Sequence, residues 1–559
     1  MTTRSARPVD RTLADALDGQ LTPLDDVTAA RWRAEGWWED RSIRSVLTDA
    51  ARQHPDRTAL VGRRSDGGRT TRTYAEFDRN AHRAAEILAD LGVGQGDAVV
   101  LMLPNWLEYA ELVFAINEVG GIYAGIPVAY GERQAAAVLR RSKAKVLVIP
   151  RGWRSNQHLE MSRRLRAELP ALEHVVVLDD DDTGLQEGET LWRQHADASE
   201  RTFPDPDPNR VCYLGFTSGT TGEPKGAMHS HNSLLYAARM QARHVGPKVY
   251  GDPLVQLVAS PAGHHTGFIW GIVFTVVFGG TGVHVDRWDP AWGVDVIREE
   301  GVTTFFGAPT FLQDMMRTDL AGDPEGPLAC LIIAGAPVPR NLPSKAGEAL
   351  GAYVAPAWGM TECSIILSCT PEEPSAIQQT DGSVFAGSEV KVVGDTGAEV
   401  APGEVGELLI RGPALCYGYF DRPDATEQAF GPGLWFRTGD RASVDANGWV
   451  SLAGRSKDII IRGGENIPVT DVESAIFDHP DVLNVAVVGI PDERLGERIC
   501  AVIAVRDGRP EMSVASLADY LVSHGLSKHY LPERVICLPE LPMTPSGKIQ
   551  KFKLREMVR

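Results

Sequence analysis

Five short runs of continuous apolar, β-favouring residues restrict the fold of this chain more than any other feature: "AVVLML" (98–103), "KVLVIP" (145–150), "HVVVLD" (174–179), "VTTFFG" (302–307) and "CLIIAG" (330–335). A strand with no polar alternation has to be covered on both faces. Between the runs lie amphipathic stretches with helical period, such as "YAEFDRNAHRAAEILADLGV" (74–93) and "NSLLYAARMQARHVG" (232–246). The second opens on an N-cap at Asn232 or Ser233 and stops at Gly246-Pro247. Strands that alternate with helices predict an α/β architecture of parallel sheets.

From about Gly394 the texture becomes turn-rich, in "GDTGAEVAPGEVGELLIRGP" and "FRTGDRASVDANGWVSLAGR", which predicts a small β subdomain attached to the α/β body. A further α+β unit follows, with strands near "VLNVAVVGI" and "ICAVIAVR" and a helix at "SVASLADYLVSHGL". At 559 residues and 43% hydrophobic content the chain exceeds one ordinary core. The division expected is 1–454 and 455–559, with the boundary in "GRSKD".

A net charge of -18 repels a phosphate backbone, so nucleic acid is not the expected partner. The seven cysteines are scattered without a CxxC pair, which predicts reduced thiols and no zinc. The N-terminus has no continuous apolar segment of the secretory kind. The most apolar stretch, Gly271 to Val285, falls short of the roughly 20 residues a membrane span needs and is read as a buried helix and strand. A cytoplasmic enzyme is the expectation.

"GFTSGTTGEPKG" (215–226) packs four hydroxyl side chains, four glycines and one lysine into twelve positions. It follows the strand-like "VCYLGF" and precedes the helix from Asn232, so it is read as a turn from strand to helix whose N–H groups and hydroxyls converge on an anion. Lys225 supplies the point charge a polyphosphate needs. The spacing is not GxxxxGK[ST], because Pro224 precedes the lysine and Gly226 follows it.

That stretch resembles the signature of the adenylate-forming superfamily of acyl-CoA synthetases, peptide-synthetase adenylation domains and luciferases. Five further motifs stand in family order: "GAP" (335–337), "WGMTE" (358–362), "FRTGD" (436–440), "GRSKDIIIRGGEN" (454–466) and "PSGKIQK" (545–551). "RWRAEGWWEDRSI", "SPAGHHTGF" and "GGENIPV" are most similar to cyclohexanecarboxylate-CoA ligase and aryl acid-CoA ligases.

The resemblance implies ATP, Mg2+ and CoA, and a smaller C-terminal domain that rotates about Lys457 between two half-reactions. Adenylation is attack of a carboxylate oxygen on the α-phosphorus with loss of pyrophosphate, so cations and N–H donors matter more than a general base. Implied for the β- and γ-phosphates are Thr217, Ser218, Gly219, Thr220, Thr221, Gly222 and Lys225. Glu362 and Thr361 are implied beside the α-phosphate, and Glu362 with Thr217 beside Mg2+. Gly335, Ala336 and Pro337 would lie along adenine, with Trp358, Gly359 and Met360, and Trp358 would stack on the ring. Asp440 suits the ribose hydroxyls and Arg455 the same sugar or phosphate. Lys548 would bridge carboxylate and phosphate from the small domain, while Lys551, Lys553 and Arg555 around it read as a solvated basic face.

For the acyl group the resemblance implies His264, Phe268, Trp270, Phe306, Gly307, Ile365 and Ile366, with His264 gating and His265 either in the pocket or a structural neighbour. These suggest an apolar, ring-sized small-molecule acid. No carboxylate stands between Ser260 and Gly280, the region where the resemblance places an Asp for the substrate ammonium in peptide-synthetase domains, so the resemblance disfavours an α-amino acid. Gly463 and Gly464 would let a pantetheine arm pass. A carrier protein arriving in trans is the alternative acceptor. A further alternative keeps the phosphate machinery but activates nitrite for transfer to an aryl amine, and a non-catalytic AMP-binding protein is the reading from another class.

Overall fold

A computed structural model describes residues 19–558 apart from 180–181, 193–200, 218–223, 324, 374–378, 456–457, 463–464, 468 and 545. All five apolar runs form strands, at Ala98–Leu101, Val146–Pro150, His174–Leu178, Thr304–Gly307 and Cys330–Ile333. Nearly every residue in them is buried, as two-sided coverage requires.

They belong to two sheets. A seven-stranded sheet runs in the order 189–191, 174–178, 146–150, 98–101, 122–125, 211–217, 225–230, and all its pairs but the last are parallel. A nine-stranded sheet has six parallel strands at its centre, 353–360, 330–333, 304–307, 255–258, 281–285 and 58–63, with antiparallel strands added at both edges. The helix Leu107–Glu118 packs against a strand of each sheet and is buried at every position except Glu108, so one hydrophobic core runs through both layers. The helix Tyr74–Asp90 begins with a capping box between Thr73 and Glu76.

Residues 389–455 form the small antiparallel sheet, built from strands 389–393, 406–411, 430–431, 435–444 and 450–455. The C-terminal unit has its own five-stranded sheet and two apolar clusters of its own. Gly271 to Val285 is a buried helix and strand as expected: a π-helical turn over Gly267–Val273 runs into the helix Phe274–Val277, and the strand Thr281–Val285 follows. No helix among the described residues is long and apolar enough to cross a membrane. All seven cysteines are free and six are buried.

Two expectations are corrected. The glycine-rich stretch does not lead from strand to helix: the strand Lys225–Ser230 intervenes, antiparallel to Val211–Thr217, with Thr217 paired to Lys225. The helix then starts at His231 with Ser230 as its N-cap, so its N-terminus lies a full strand away from the loop. The period-2 signal of "KGAMHS" is masked because its residues are nearly all buried. The basic C-terminal segment is not simply a solvated face either. Lys551 pairs with Glu473 at 2.7 Å and Arg555 with Asp458 at 2.6 Å, which ties the helix Lys551–Val558 to its unit, while Lys553 is exposed.

Candidate active site

Parallel strands end in loops on one edge, and that edge is where α/β sheets bind ligands. Three neighbouring strands of the nine-stranded sheet deliver candidate residues there: Thr304–Gly307 carries Phe306 and Gly307, Cys330–Ile333 leads to Gly335, Ala336 and Pro337, and Tyr353–Met360 carries Trp358, Gly359 and Met360. The last strand turns back at once, with Met360 paired to Ser364, which sets Thr361 and Glu362 in a tight turn. The seven-stranded sheet meets this turn through Gly215 and His229 on its last two strands. A Cβ on Gly215 would lie 2.4 Å from Thr361 Cγ2, so only glycine admits the contact. His229 reaches the Thr361 carbonyl at 2.7 Å, and burial pushes its imidazole down to about 4, so it donates as a neutral ring.

Glu362 is 4% exposed, and burial raises its carboxyl pKa against the opposing pull of Tyr419, Arg455 and Lys225. The Tyr419 hydroxyl donates to Oε1 at 2.8 Å, whereas Oε2 is buried with no partner among the described residues. No cluster of three or more His, Cys, Asp or Glu ligands occurs among those residues. One carboxylate oxygen completed by phosphate oxygens and water is a donor set that Mg2+ accepts in nucleotide sites, so the orphaned oxygen fits that ion.

Asp440 and Arg455 face one another across the small sheet, with Arg455 Nε 3.0 Å from Asp440 Oδ1. The Trp358 indole N–H donates to Asp440 Oδ2 at 2.9 Å. Sequence reasoning assigned Trp358 a stacking role; the structure adds that its N–H orients the acidic residue implied for the sugar.

Lys548 arrives from the C-terminal unit. Its Cε lies 3.4 Å from where a Cβ on Gly335 would be, and Gly335 has a φ of +86°. Burial and Arg455 push the ammonium down to about 8, while Asp440 and Glu362 pull the other way. The same charge contributes to the depression of His264, which burial takes down to about 3. Residues spread from Lys225 to Lys548 thus meet in one place.

The acyl candidates other than the half-buried His264 are buried, and the faces of their rings are largely taken by other aromatic rings. Trp270 lies flat on Phe306 at 5.2 Å and 10°, and Phe268 packs on Tyr213 at 4.5 Å. Ile365 and Ile366 are also buried. His265, read from the sequence as either in the pocket or a structural neighbour, stands among them with a partner the sequence did not mark: its Nε2 is 3.0 Å from Ser364 Oγ, and its ring stacks on Tyr213 at 5.6 Å. His265 Nδ1 is buried without a partner among the described residues. The only trace of this in the sequence was the second histidine of "GHHTGF". Of the remaining candidates, Ser218, Gly219, Thr220, Thr221, Gly222, Lys457, Gly463 and Gly464 lie outside the described residues.

A model of the AMP-binding enzyme family matches residues 47–420, and the model of that family's C-terminal domain matches residues 471–548. The chain belongs to the AMP-binding enzyme family. This AMP-binding enzyme is 30% identical over 530 residues to the medium-chain fatty-acid–CoA ligase of Escherichia coli (strain K12), covering 94% of this chain and 92% of that one. It is 32% identical over 539 residues to the salicyl-AMP ligase / salicyl-S-ArCP synthetase of Mycobacterium tuberculosis (strain ATCC 25618 / H37Rv), covering 95% and 94%. Among solved structures, that of the anthranilate CoA ligase AuaEII in complex with anthranoyl-AMP matches with a TM-score of 0.83 at 26% identity, covering 93% of this chain and 97% of that one. The chain is an AMP-forming, adenylate-forming ligase.

Proposed function

We propose that the enzyme activates an aryl or alicyclic carboxylic acid as its acyl-adenylate and transfers the acyl group to CoA. The observation that supports this reading is the convergence of Lys548 with Glu362, Asp440 and Arg455 beside Gly335, an arrangement that offers a buried cation to two anions that have to react. A substrate carboxylate oxygen attacks the α-phosphorus, the bond to the β-phosphate oxygen breaks, and pyrophosphate leaves. Lys548 holds both reacting anions. Lys225, with Thr217 and the loop after it, holds the leaving phosphates. Asp440 holds the ribose, and Gly335–Pro337 and Trp358 border the adenine. Glu362, through the unpartnered Oε2, and Thr217 would hold Mg2+, which when bound would supply charge neutralisation at the phosphates. The second step exchanges AMP for a thiol at the acyl carbonyl. For it, residues 455–559 turn as a domain about Lys457, and the pantetheine arm passes Gly463 and Gly464.

The relatives named as ligases of salicylate and anthranilate support an aryl acid, and the fatty-acid relative supports CoA as acceptor. The buried rings of Phe268, Trp270 and Phe306 support an apolar wall, with His264 at its entrance. The test is pyrophosphate release with ATP and Mg2+ across benzoic, cinnamic and cyclohexane carboxylic acids and nitrite, each with and without CoA, an aryl amine or a phosphopantetheinylated carrier protein. Acid-dependent release accelerated by CoA is the expected result. Acceleration only by the carrier protein replaces the acceptor, and release dependent on nitrite with consumption of the amine overturns the reaction.

A further inference from the structure

Tyr419 stands outside every motif that defined the site, yet it touches two of the site's charged groups at once. Its hydroxyl donates to Glu362 Oε1 at 2.8 Å, and the Lys225 ammonium sits 4.8 Å from its ring centroid. Lys225 belongs to the hairpin of one sheet and Glu362 to the turn at the edge of the other. The tyrosine is 6% exposed, and its own position is fixed by backbone. It forms an antiparallel bridge with Ala227. On either side, Phe420 N–H donates to Gly226 O at 2.9 Å, Met228 N–H to Gly418 O at 2.9 Å and Tyr417 N–H to Met228 O at 2.8 Å. Residues 417–420 therefore run as an extra rung along the strand that starts with Lys225. The same segment is stitched to the turn, because Cys416 N–H donates to the Glu362 carbonyl at 2.8 Å.

We propose that Tyr419 is the positioning residue that sets the spacing between the phosphate-binding Lys225 and the metal-facing Glu362. The phenol occupies Oε1, so the carboxylate presents its other oxygen, Oε2, which is the one without a partner among the described residues. A buried carboxylate with a single fixed donor has one orientation in place of several. The ring face meanwhile holds the lysine by cation–π attraction, which leaves the N–H donors of the ammonium for phosphate. One side chain thus registers a cation and an anion from two different sheets against the same triphosphate. It acts through them and touches no reacting atom.

The inference rests on the reading of Glu362 as the metal-facing carboxylate, and the test separates the two. Full-length wild type and the variants Tyr419→Phe, Tyr419→Leu, Glu362→Gln and Tyr419→Phe/Glu362→Gln are titrated calorimetrically with ATP, in excess Mg2+ and in EDTA, without acid substrate. Thermal melts establish that each is folded. Loss of a hydrogen bond to a charged group predicts a roughly tenfold or greater loss of MgATP affinity in Tyr419→Phe. Affinity for metal-free ATP should be unchanged there, because the ring still seats Lys225. Tyr419→Leu should weaken both. In the Glu362→Gln background the Tyr419→Phe effect should largely vanish, whereas a purely structural role would give additive losses. In steady state, Tyr419→Phe should raise the KM for MgATP more than it lowers kcat. Wild-type MgATP affinity in Tyr419→Phe, equal losses with and without Mg2+, or additivity in the double variant overturns the proposal. If Tyr419→Leu does not fold, the Phe variant and the double variant still decide. If Glu362→Gln itself binds MgATP normally, the reading of Glu362 fails and the proposal fails with it.

Discussion

The ammonium of Lys548 gives a prediction that structure and chemistry fix together. Burial and Arg455 bring it from 10.5 to about 8 in the free enzyme, a penalty on the charged form of roughly 3 kcal/mol at about 1.4 kcal/mol per pH unit. The sign follows from the direction. The folded value lies below the unfolded one, so the cost of burying the charge is fully present below about pH 8 and is relieved as pH rises from there toward 10.5. Under the proposed role of Lys548 catalysis runs the other way, because there the ammonium is the form that bridges carboxylate and phosphate. The kcat/KM of acid-dependent pyrophosphate release, which reports the free enzyme, should therefore fall about tenfold per pH unit above pH 8. The kcat limb should lie at higher pH, since bound triphosphate favours the charged form. Lys548→Arg keeps a cation that does not titrate in this range, so whatever activity it retains should show no such limb. Lys548→Ala should lose adenylation by roughly a hundredfold or more, the scale of removing one preorganised charge partner, yet still pass an added acyl-adenylate to thiol. A kcat/KM that stays flat to pH 9.5 in the wild type, or a limb that persists in Lys548→Arg, refutes the reasoning.

Gly335→Ala places a Cβ 3.4 Å from Lys548 Cε at a φ of +86°, so it should cost about 1–2 kcal/mol of stability by melting and slow adenylation more than thiol transfer, measured as separate half-reactions. Burial, with Glu108 nearby, pushes Glu111 up to about 7; its protonated form favours folding, and that advantage is lost as pH rises from 4.5 through 7. Glu111→Gln should accordingly gain in Tm over wild type between pH 5 and pH 8, and a difference that does not change with pH counts against it. Lys457→Pro, stiffening the proposed hinge, should reduce thioester formation more than pyrophosphate release, and equal damage undermines rotation.

Much of the candidate site was legible because the proposed chemistry is written in contiguous stretches. The loop around Thr217 and Lys225, the turn at Thr361 and Glu362, and the segments at Gly335, Asp440 and Lys548 each combine small backbone-exposing residues with one charge, a pattern that local physics explains. The alternation of apolar runs and amphipathic helices likewise fixed the α/β class, since an unbroken apolar strand has no other stable setting. What failed was local geometry under burial. "KGAMHS" carries no alternation because most of it is buried, so the strand and the true N-cap at Ser230 were missed.

Tertiary structure alone decided how side chains hold one another. Tyr419 lies 57 residues from Glu362 and far outside the glycine-rich loop, and nothing in "CYGYF" marks it. Only the pairing of its backbone with the strand of Lys225 brings it there. Trp358 turns its indole N–H to Asp440, 82 residues on, because the end of one sheet abuts the small β subdomain. His265 comes to Ser364 across 99 residues by the same kind of meeting. Motifs state which charges a site holds, since those must be covalently present. Their spacing and orientation are set by packing between elements distant in the chain, a property of the whole chain's burial that no short stretch contains.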